Sequence, residues 1–540
     1  MPRYSYKPFP YATPPELRGA KLRRYPVVIV GAGPVGLALA IDLALHGIRS
    51  IVLDDNDVVS LGSRAICWSK RTLEIFDRLG VGERMVEKGV TWKVGRLFHR
   101  DREVWNFDLL PEPGHKMPAF INLQQYYVEQ YLVERAADFP DLIDLRWKNR
   151  LVSLEKLAKG ARLAVETPDG AYTLEADWLI ACDGARSSAR SQLGLDLEGH
   201  AFEERFLIAD VEMKADFPSE RWFWFEPTFH SGQSALLHKQ PDDIYRIDLQ
   251  LGPDADPEEE KKPEHVIPRI EKVLGHSDFT LDWVSVYTFQ CGRLQNFVHG
   301  RVIFAGDSAH IVSPFGARGG NGGIQDVDNL AWKLALVLKG EAPESLIITY
   351  DEERVFGADE NILNSARATS FMTPKSKMER LFRDSVLHLA GEHDFARRMV
   401  NSGRLSKPCS LTGFSLQSVA EGEGGVASGT AMPDAPVGSG EVSWLLNHLG
   451  GRFALMAVEA ELPEETPEGV DRVIVTRDPG QQRVTAGPIL LDTEGLATAR
   501  YGAGMVYIVR PDQHIAARFR GATPAKIAAA LARAMGRALS

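Results

Sequence analysis

The stretch Val27-Val-Ile-Val30-Gly31-Ala-Gly33-Pro-Val-Gly36, followed by Leu37–Leu45 and closed by Ile51-Val-Leu-Asp54, decides the fold. Val27–Val30 is a short apolar strand, Leu37–Leu45 an apolar helix and Ile51–Leu53 the next buried strand. Strand, helix and strand within about 30 residues make a βαβ unit. Gly31 permits the tight turn, Gly33 lets a pyrophosphate approach the backbone, and Gly36 allows close packing of helix on strand. The helix N-terminus then offers free N–H groups and a positive dipole to phosphates. Asp54 can accept hydrogen bonds from a ribose. The glycine spacing alone is a weak signal; the strand before it, the helix after it and the acid about twenty residues on make it a dinucleotide site. A second spacing of this kind, Gly422-x-Gly424-x-x-Ala427, has neither strand nor helix and reads as a decoy.

Two further apolar runs end in polar turns: Trp178–Ala181 before Cys182-Asp183-Gly184-Ala-Arg186-Ser187, and Val302–Ala305 before Gly306-Asp307-Ser-Ala-His310. Four such runs predict a parallel sheet with ligand chemistry at the strand C-termini. A lone Asp-Gly is usually only a turn; behind a buried strand, its carboxylate can hold the hydroxyls of a sugar-like chain. The run Pro314-Phe-Gly316-Ala-Arg318-Gly319-Gly320-Asn321-Gly322-Gly323 opens the predicted helix Ile324–Lys339, a ready anion site whose plain alternative is a flexible loop. Alternation of apolar and polar residues in 94–123 and 205–290, as in Arg221-Trp-Phe-Trp-Phe225 and Tyr245-Arg-Ile-Asp-Leu249, predicts antiparallel strands of a second layer.

The chain has 540 residues, enough for about three to four domain-sized units, and a net charge of −11 that leaves no basic stripe for nucleic acid. Its four cysteines, Cys67, Cys182, Cys291 and Cys409, form no C-x-x-C pair, so neither a zinc site nor a dithiol motif is spelled out, and no metal is expected. Sparse cysteines fit a reducing cytoplasm. No secretory leader and no membrane helix are expected, since neither a charged-then-apolar N-terminus nor a run of about 18 apolar residues is seen. The predicted organisation is an arm at 1–24; a Rossmann-like α/β domain at 25–93, 124–200 and 296–401; an inserted antiparallel sheet at 94–123 and 201–295; a Gly- and Ser-rich linker at 402–440; and an α/β domain at 441–540.

The chain resembles the class A FAD-dependent aromatic hydroxylases of the para-hydroxybenzoate and phenol hydroxylase family. It looks most like the 3-(3-hydroxyphenyl)propionate hydroxylase type, which carries a C-terminal thioredoxin-like domain. The resemblance implies FAD as cofactor, NADH or NADPH as a transient co-substrate, and O2 and a small phenol as substrates, with hydroxylation through a flavin C4a-hydroperoxide. It places Gly31, Gly33 and Gly36 on the FAD pyrophosphate turn and Asp54 on the adenosine ribose, where the family more often has Glu. Arg64 falls near the phosphates, and Gln125, with Gln124 beside it as the alternative register, beside the flavin. Asp183-Gly184 matches the motif linked to both nucleotides, Gly306-Asp307 the ribityl site, and Gly320 and Asn321 the backbone contacts to the ring. Arg318 stands where the family loop has other residues and implies a contact to substrate or a tuned flavin potential. The segment 441–540 has no cysteine, which excludes dithiol activity and leaves packing or homodimer formation.

A phenol needs a proton acceptor within hydrogen-bond reach. His238 and Tyr245, on predicted strands of the second layer, are the catalytic candidates; ordinary half-buried sheet residues are the plain alternative. Trp222, Trp224 and Phe225 could wall the pocket, although an aromatic stripe on a strand usually packs a core; Phe315 belongs to the glycine-rich loop. His310 reads as support for that loop. Two other functions remain open. Trp222-Phe-Trp224-Phe-Glu-Pro227 is similar to the W-x-W-x-x-P motif of flavin-dependent halogenases, and a flavin-binding regulator without turnover would need none of the substrate residues.

Overall fold

The computed structural model describes residues 4–19, 22–62, 65–252, 254–313, 316–400, 407–438, 443–478, 480 and 487–537. Arg64 and Phe315 lie outside the described residues.

All four apolar runs enter one sheet. Strands Val302–Phe304, Gly170–Ala181, Arg23–Val30, Ser50–Leu53 and Ile143–Arg146 lie side by side in that order, all parallel. Helix Pro34–Leu45 is buried along most of its length and packs between helices Gln125–Ala136 and Gly319–Leu338, so it is apolar nearly all round rather than on one face. Strand Gly170–Ala181 is long because its first half pairs with the meander Arg150–Leu157 and Gly160–Thr167.

The second sheet is antiparallel except where Arg221–Phe225 runs parallel to Val94–His99. Its order is His310–Ile311, Thr280–Arg293, Glu198–Glu212, Ile244–Leu251, Ser234–Lys239, Arg221–Phe225, Val94–His99 and Arg102–Asp108. A three-stranded sheet of Cys67–Ser69, Phe120–Asn122 and Val90–Trp92 lies between the two layers. The predicted boundary between 93 and 94 therefore divides this small sheet, whose outer strands precede it and whose middle strand follows it.

The C-terminal sheet has the order Ile489–Leu491, Asp471–Thr476, Ala454–Val458, Met505–Val509 and Ile515–Arg520, the first three parallel and the last two antiparallel. The segment expected as a linker is packed across its edge instead. Ser418, Glu421 and Gly429 donate backbone N–H groups to Ala516, Arg518 and Ile515, and Leu411, Leu416, Val426 and Met432 are buried. Its glycines serve positive φ angles, as at Gly425 and Gly429, rather than free motion.

The C-terminal domain is joined to the rest by buried charge. Arg510 holds Glu353 through two bonds of 2.7 and 3.0 Å and also pairs with Asp512. Lys333 reaches Glu353 at 2.9 Å. Arg71 bonds Asp328 at 2.9 Å and the Asp512 carbonyl at 2.7 Å.

Candidate active site

Three carboxylates, Asp54, Asp183 and Asp307, follow the C-terminal ends of neighbouring parallel strands, where that sheet order places a ligand crevice. A cleft of about 670 Å³ opens there, lined among others by Gly33, Asp54, Glu129 and Asp183. The three glycines of the turn divide their work. A Cβ on Gly31 would sit 2.4 Å from the Cys182 carbonyl oxygen, and one on Gly36 would sit 1.9 Å from that of Gly31. A Cβ on Gly33 would meet nothing within 4 Å, which leaves that backbone open to a ligand. Asp54 accepts hydrogen bonds from the Ala32 N–H at 2.6 Å and the Asn56 N–H at 2.9 Å. Burial raises its pKa against those bonds.

Gln125 stands one turn before Glu129, which lines the cleft. It accepts from the Ala65 N–H at 3.2 Å and donates to Glu129 at 2.8 Å, whereas Gln124 turns away to the Pro241 carbonyl. Glu129 also accepts the Ser60 N–H, and burial pushes its pKa up to about 7. Glu129 could not be singled out from the sequence, because an acid in helix Gln125–Ala136 carries no signal until that face is seen to be buried. Asp183 receives the Ser187 hydroxyl at 2.6 Å and the Ala189 N–H at 3.0 Å, so it holds the start of helix Ser188–Gln192 as well as facing the cleft. Gly184, at φ +75°, makes the turn between strand and helix.

The glycine-rich loop ends in helix Gly319–Leu338, whose start comes close to the dinucleotide turn. Gly323 packs against Gly306 and Val35, and Asp307 faces Gly319. Beneath it Asp326 takes the Gly306 N–H at 3.0 Å, His310 at 2.6 Å and Arg354 at 2.7 Å. Burial would raise the Asp326 carboxyl, but His310 and Arg354 outweigh it and hold it at about 2. His310 is thus a strut of the loop. Asn321 donates to the Cys67 carbonyl at 2.9 Å and accepts the Ser69 N–H at 2.9 Å, clamping that strand beside the loop. Gly320 lies against Trp68. Arg318 bonds Asn361 at 3.1 Å, on helix Ile348–Met372.

Strand periodicity sorts the remaining candidates, because successive side chains take opposite faces. Tyr245, Trp222 and Trp224 lie on the face packed by helix Pro263–Leu274; the Tyr245 hydroxyl donates to the Ala215 carbonyl at 2.9 Å. This corrects the expectation that they line the site: they are one residue out of phase with it. Phe225 takes the other face but packs on Phe371 under the long helices, as core. His238 shares that inner face, where its Nδ1 lies 4.0 Å from Cys67 Sγ. Burial, then Arg221 and Arg246, lowers its pKa well below the usual value, so its imidazole is neutral. Arg221 is cross-strand to His238, Arg246 pairs with Asp210 through two bonds of 2.8 Å, and Asp248 completes the inner face. Sequence reading missed Arg221 and Asp248. The signal was there, since Arg246 and Asp248 alternate with Tyr245, Ile247 and Leu249.

The open Gly33 backbone, the ribose-side acid Asp54 and the paired glycine turns fit an FAD, and comparison with known proteins agrees. The chain belongs to the FAD binding domain family, which matches residues 24–365. It is 27% identical over 363 residues to a 3-(3-hydroxy-phenyl)propionate/3-hydroxycinnamic acid hydroxylase of Mycolicibacterium smegmatis, covering 67% of this chain and 64% of that one. It is 29% identical to a probable NADH-specific resorcinol 4-hydroxylase of Rhodococcus jostii, over 94% of this chain and 93% of the relative. Its fold matches that of the flavin-dependent monooxygenase PieE, solved with FAD and substrate, with a TM-score of 0.78 at 22% identity over 96% of this chain and all of the other. The matches to the resorcinol 4-hydroxylase and to PieE extend past the FAD-binding part into the C-terminal domain.

Proposed function

We propose that the protein is an FAD-dependent monooxygenase that hydroxylates a phenolic aromatic substrate with NADH or NADPH and O2. The observation that carries it is the Asn321 clamp: it joins the loop at the start of helix Gly319–Leu338 to strand Cys67–Ser69, and that strand touches His238 on the inner face of the second sheet. A flavin ring held at the loop would meet a substrate held on that face. Bound FAD supplies the redox chemistry, taking reducing equivalents from the nicotinamide and activating O2. The chain holds the pyrophosphate at Gly31–Gly36, the ribose at Asp54 and the ribityl chain at Asp307, and it shuts water out with the buried layer between the sheets. His238 hydrogen-bonds the substrate hydroxyl; Arg318 acts through the loop. The named relatives, hydroxylases of hydroxyphenylpropionate and resorcinol, support the substrate class.

The C-terminal domain is read as thioredoxin-like, on its mixed sheet with helix Pro524–Ala534 packed on it, and as a structural part of the enzyme; its segment 441–540 holds no cysteine. Among the described residues no helix is long and apolar enough to cross a membrane; the cytoplasmic location is part of the proposal and is supported by the sparse cysteines. The test is a panel of phenols with purified, FAD-loaded protein, recording nicotinamide consumption beside product mass. A gain of one oxygen coupled to consumption is expected; no phenol-stimulated consumption overturns the reading.

A further inference from the structure

The inner face of the second sheet holds polar atoms that nothing in the chain satisfies. Arg221 Nε and Nη1, His238 Nε2 and Asp248 Oδ1 are buried and find no hydrogen-bond partner among the described residues. Arg221 is 4% exposed and His238 2%. The neighbouring Arg246 shows what a satisfied arginine looks like here, since Asp210 grips it at two points. The Phe223 ring at 4.7 Å and the Trp92 ring at 6.0 Å lie against the Arg221 guanidinium, and Asp248 acts on it electrostatically while no acceptor bonds its Nε or Nη1. A buried guanidinium whose hydrogen bonds go unmade is costly, and a protein gains nothing in stability by keeping one. The missing acceptor is therefore sought in a ligand.

Resting on the phenol hydroxylase reading, we infer that Arg221 and Asp248 together ionise the substrate hydroxyl. The phenol O–H bond breaks, its proton forms a new O–H bond on the Asp248 carboxylate, and the phenolate oxygen is held by the Arg221 guanidinium. His238 Nε2 lies 3.8 Å from Asp248 Oδ2, too far for a direct hydrogen bond, and stands free to bond the same oxygen. Charge conservation selects this source of the anion. Arg221 and Asp248 cancel, so a neutral phenol enters without adding charge, and the proton transfer leaves the total unchanged. A substrate carboxylate would add a second negative charge beside Asp248 in a low-dielectric site. Burial, opposed by Arg246 and Arg221 and aided by Asp210, sets the Asp248 carboxyl at about 6, in the range a general base needs near neutrality. The Cys67 thiol, from the strand packed opposite, also faces the cluster, and burial keeps it protonated. An ionised phenol pushes electron density into its ring, which is what attack on an electrophilic oxygen requires.

The test uses FAD-loaded enzyme and 4-nitrophenol, whose phenolate band reports its ionisation directly. At a pH one unit below the pKa of the free probe, binding to the parent enzyme is expected to raise the phenolate band. Arg221→Met is expected to bind it at least about tenfold more weakly and without that band, and Arg221→Lys to restore part of it. With resorcinol and 3-(3-hydroxyphenyl)propionate, Asp248→Asn should lose about a hundredfold in turnover with KM little changed, the size of a general-base effect. Flavin absorbance should match the parent in each variant, Tm should match it in Arg221→Lys and Asp248→Asn, and Arg221→Met should melt at the same temperature or higher. A probe that stays neutral or does not bind the parent overturns the inference. So does phenol-stimulated NADH consumption that survives unchanged in Arg221→Met and Asp248→Asn, a result that leaves the hydroxylase reading standing. If none of the three phenols stimulates NADH or NADPH consumption by the parent, the hydroxylase reading fails first.

Discussion

Replacing Glu353 by Gln removes one charge from a sealed, neutral set. Glu353, Lys333, Arg510 and Asp512 have no solvent exposure at their side chains, and Asn329 and Gln417 complete the shell around Glu353. Burial alone would raise the Glu353 carboxyl, but Arg510 and Lys333 outweigh it and hold it well below the usual carboxylate range. Glutamine keeps the shape and leaves one positive charge uncompensated; breaking a buried pair this way costs about 3–5 kcal/mol. Because Arg510 keeps Asp512, the lower end is expected, about 3 kcal/mol. The pH dependence follows from the depressed pKa. The unfolded chain binds the proton first, so the carboxylate's contribution is complete above about pH 4.5, the ordinary value. It is lost as pH falls further, toward the lower folded pKa. Urea unfolding of FAD-loaded parent and Glu353→Gln at pH 7 and pH 4 would show a wide gap at pH 7 that narrows at pH 4. A loss below about 1 kcal/mol at pH 7, or a C-terminal domain that unfolds separately in the parent, would refute the reasoning.

Gly33→Ala should leave the Tm of the FAD-free protein unchanged yet weaken FAD binding at least tenfold by flavin titration, whereas Gly36→Ala should fail to fold, since its Cβ has no room. Asp326, held at about 2 against an ordinary 3.8, should contribute about 2 kcal/mol that persists above pH 4 and disappears toward pH 2; Asp326→Asn should remove it, measured by acid unfolding. Asn321→Ala leaves the Ser69 N–H and the Cys67 carbonyl unpaired and should lose about 1–3 kcal/mol, with FAD affinity falling in parallel. Tyr245→Phe should cost about 1 kcal/mol in stability and change turnover less than twofold, because its hydroxyl serves Ala215 on the far face.

What the sequence by itself determined is the part of the molecule whose contacts are local. Gly31, Gly33, Gly36 and Asp54 are read from one βαβ unit because a tight turn, a helix start and a strand end lie within about 30 residues. The strand ends at Asp183 and Asp307 were legible for the same reason: each is an apolar run followed at once by its turn. Tertiary structure decided the rest. Whether Tyr245 or Arg246 faces the pocket depends on which side of the sheet the helix Pro263–Leu274 covers, and a shift of one residue reverses every side chain. Arg221 and Asp248 acquire meaning only when two strands bring them to one buried face, where an unpaired charge is costly. The glycines of 407–438 resemble a linker in one dimension. They become a packed strap once the C-terminal sheet offers its edge, since backbone hydrogen bonds to Ala516, Arg518 and Ile515 cannot be foreseen from composition.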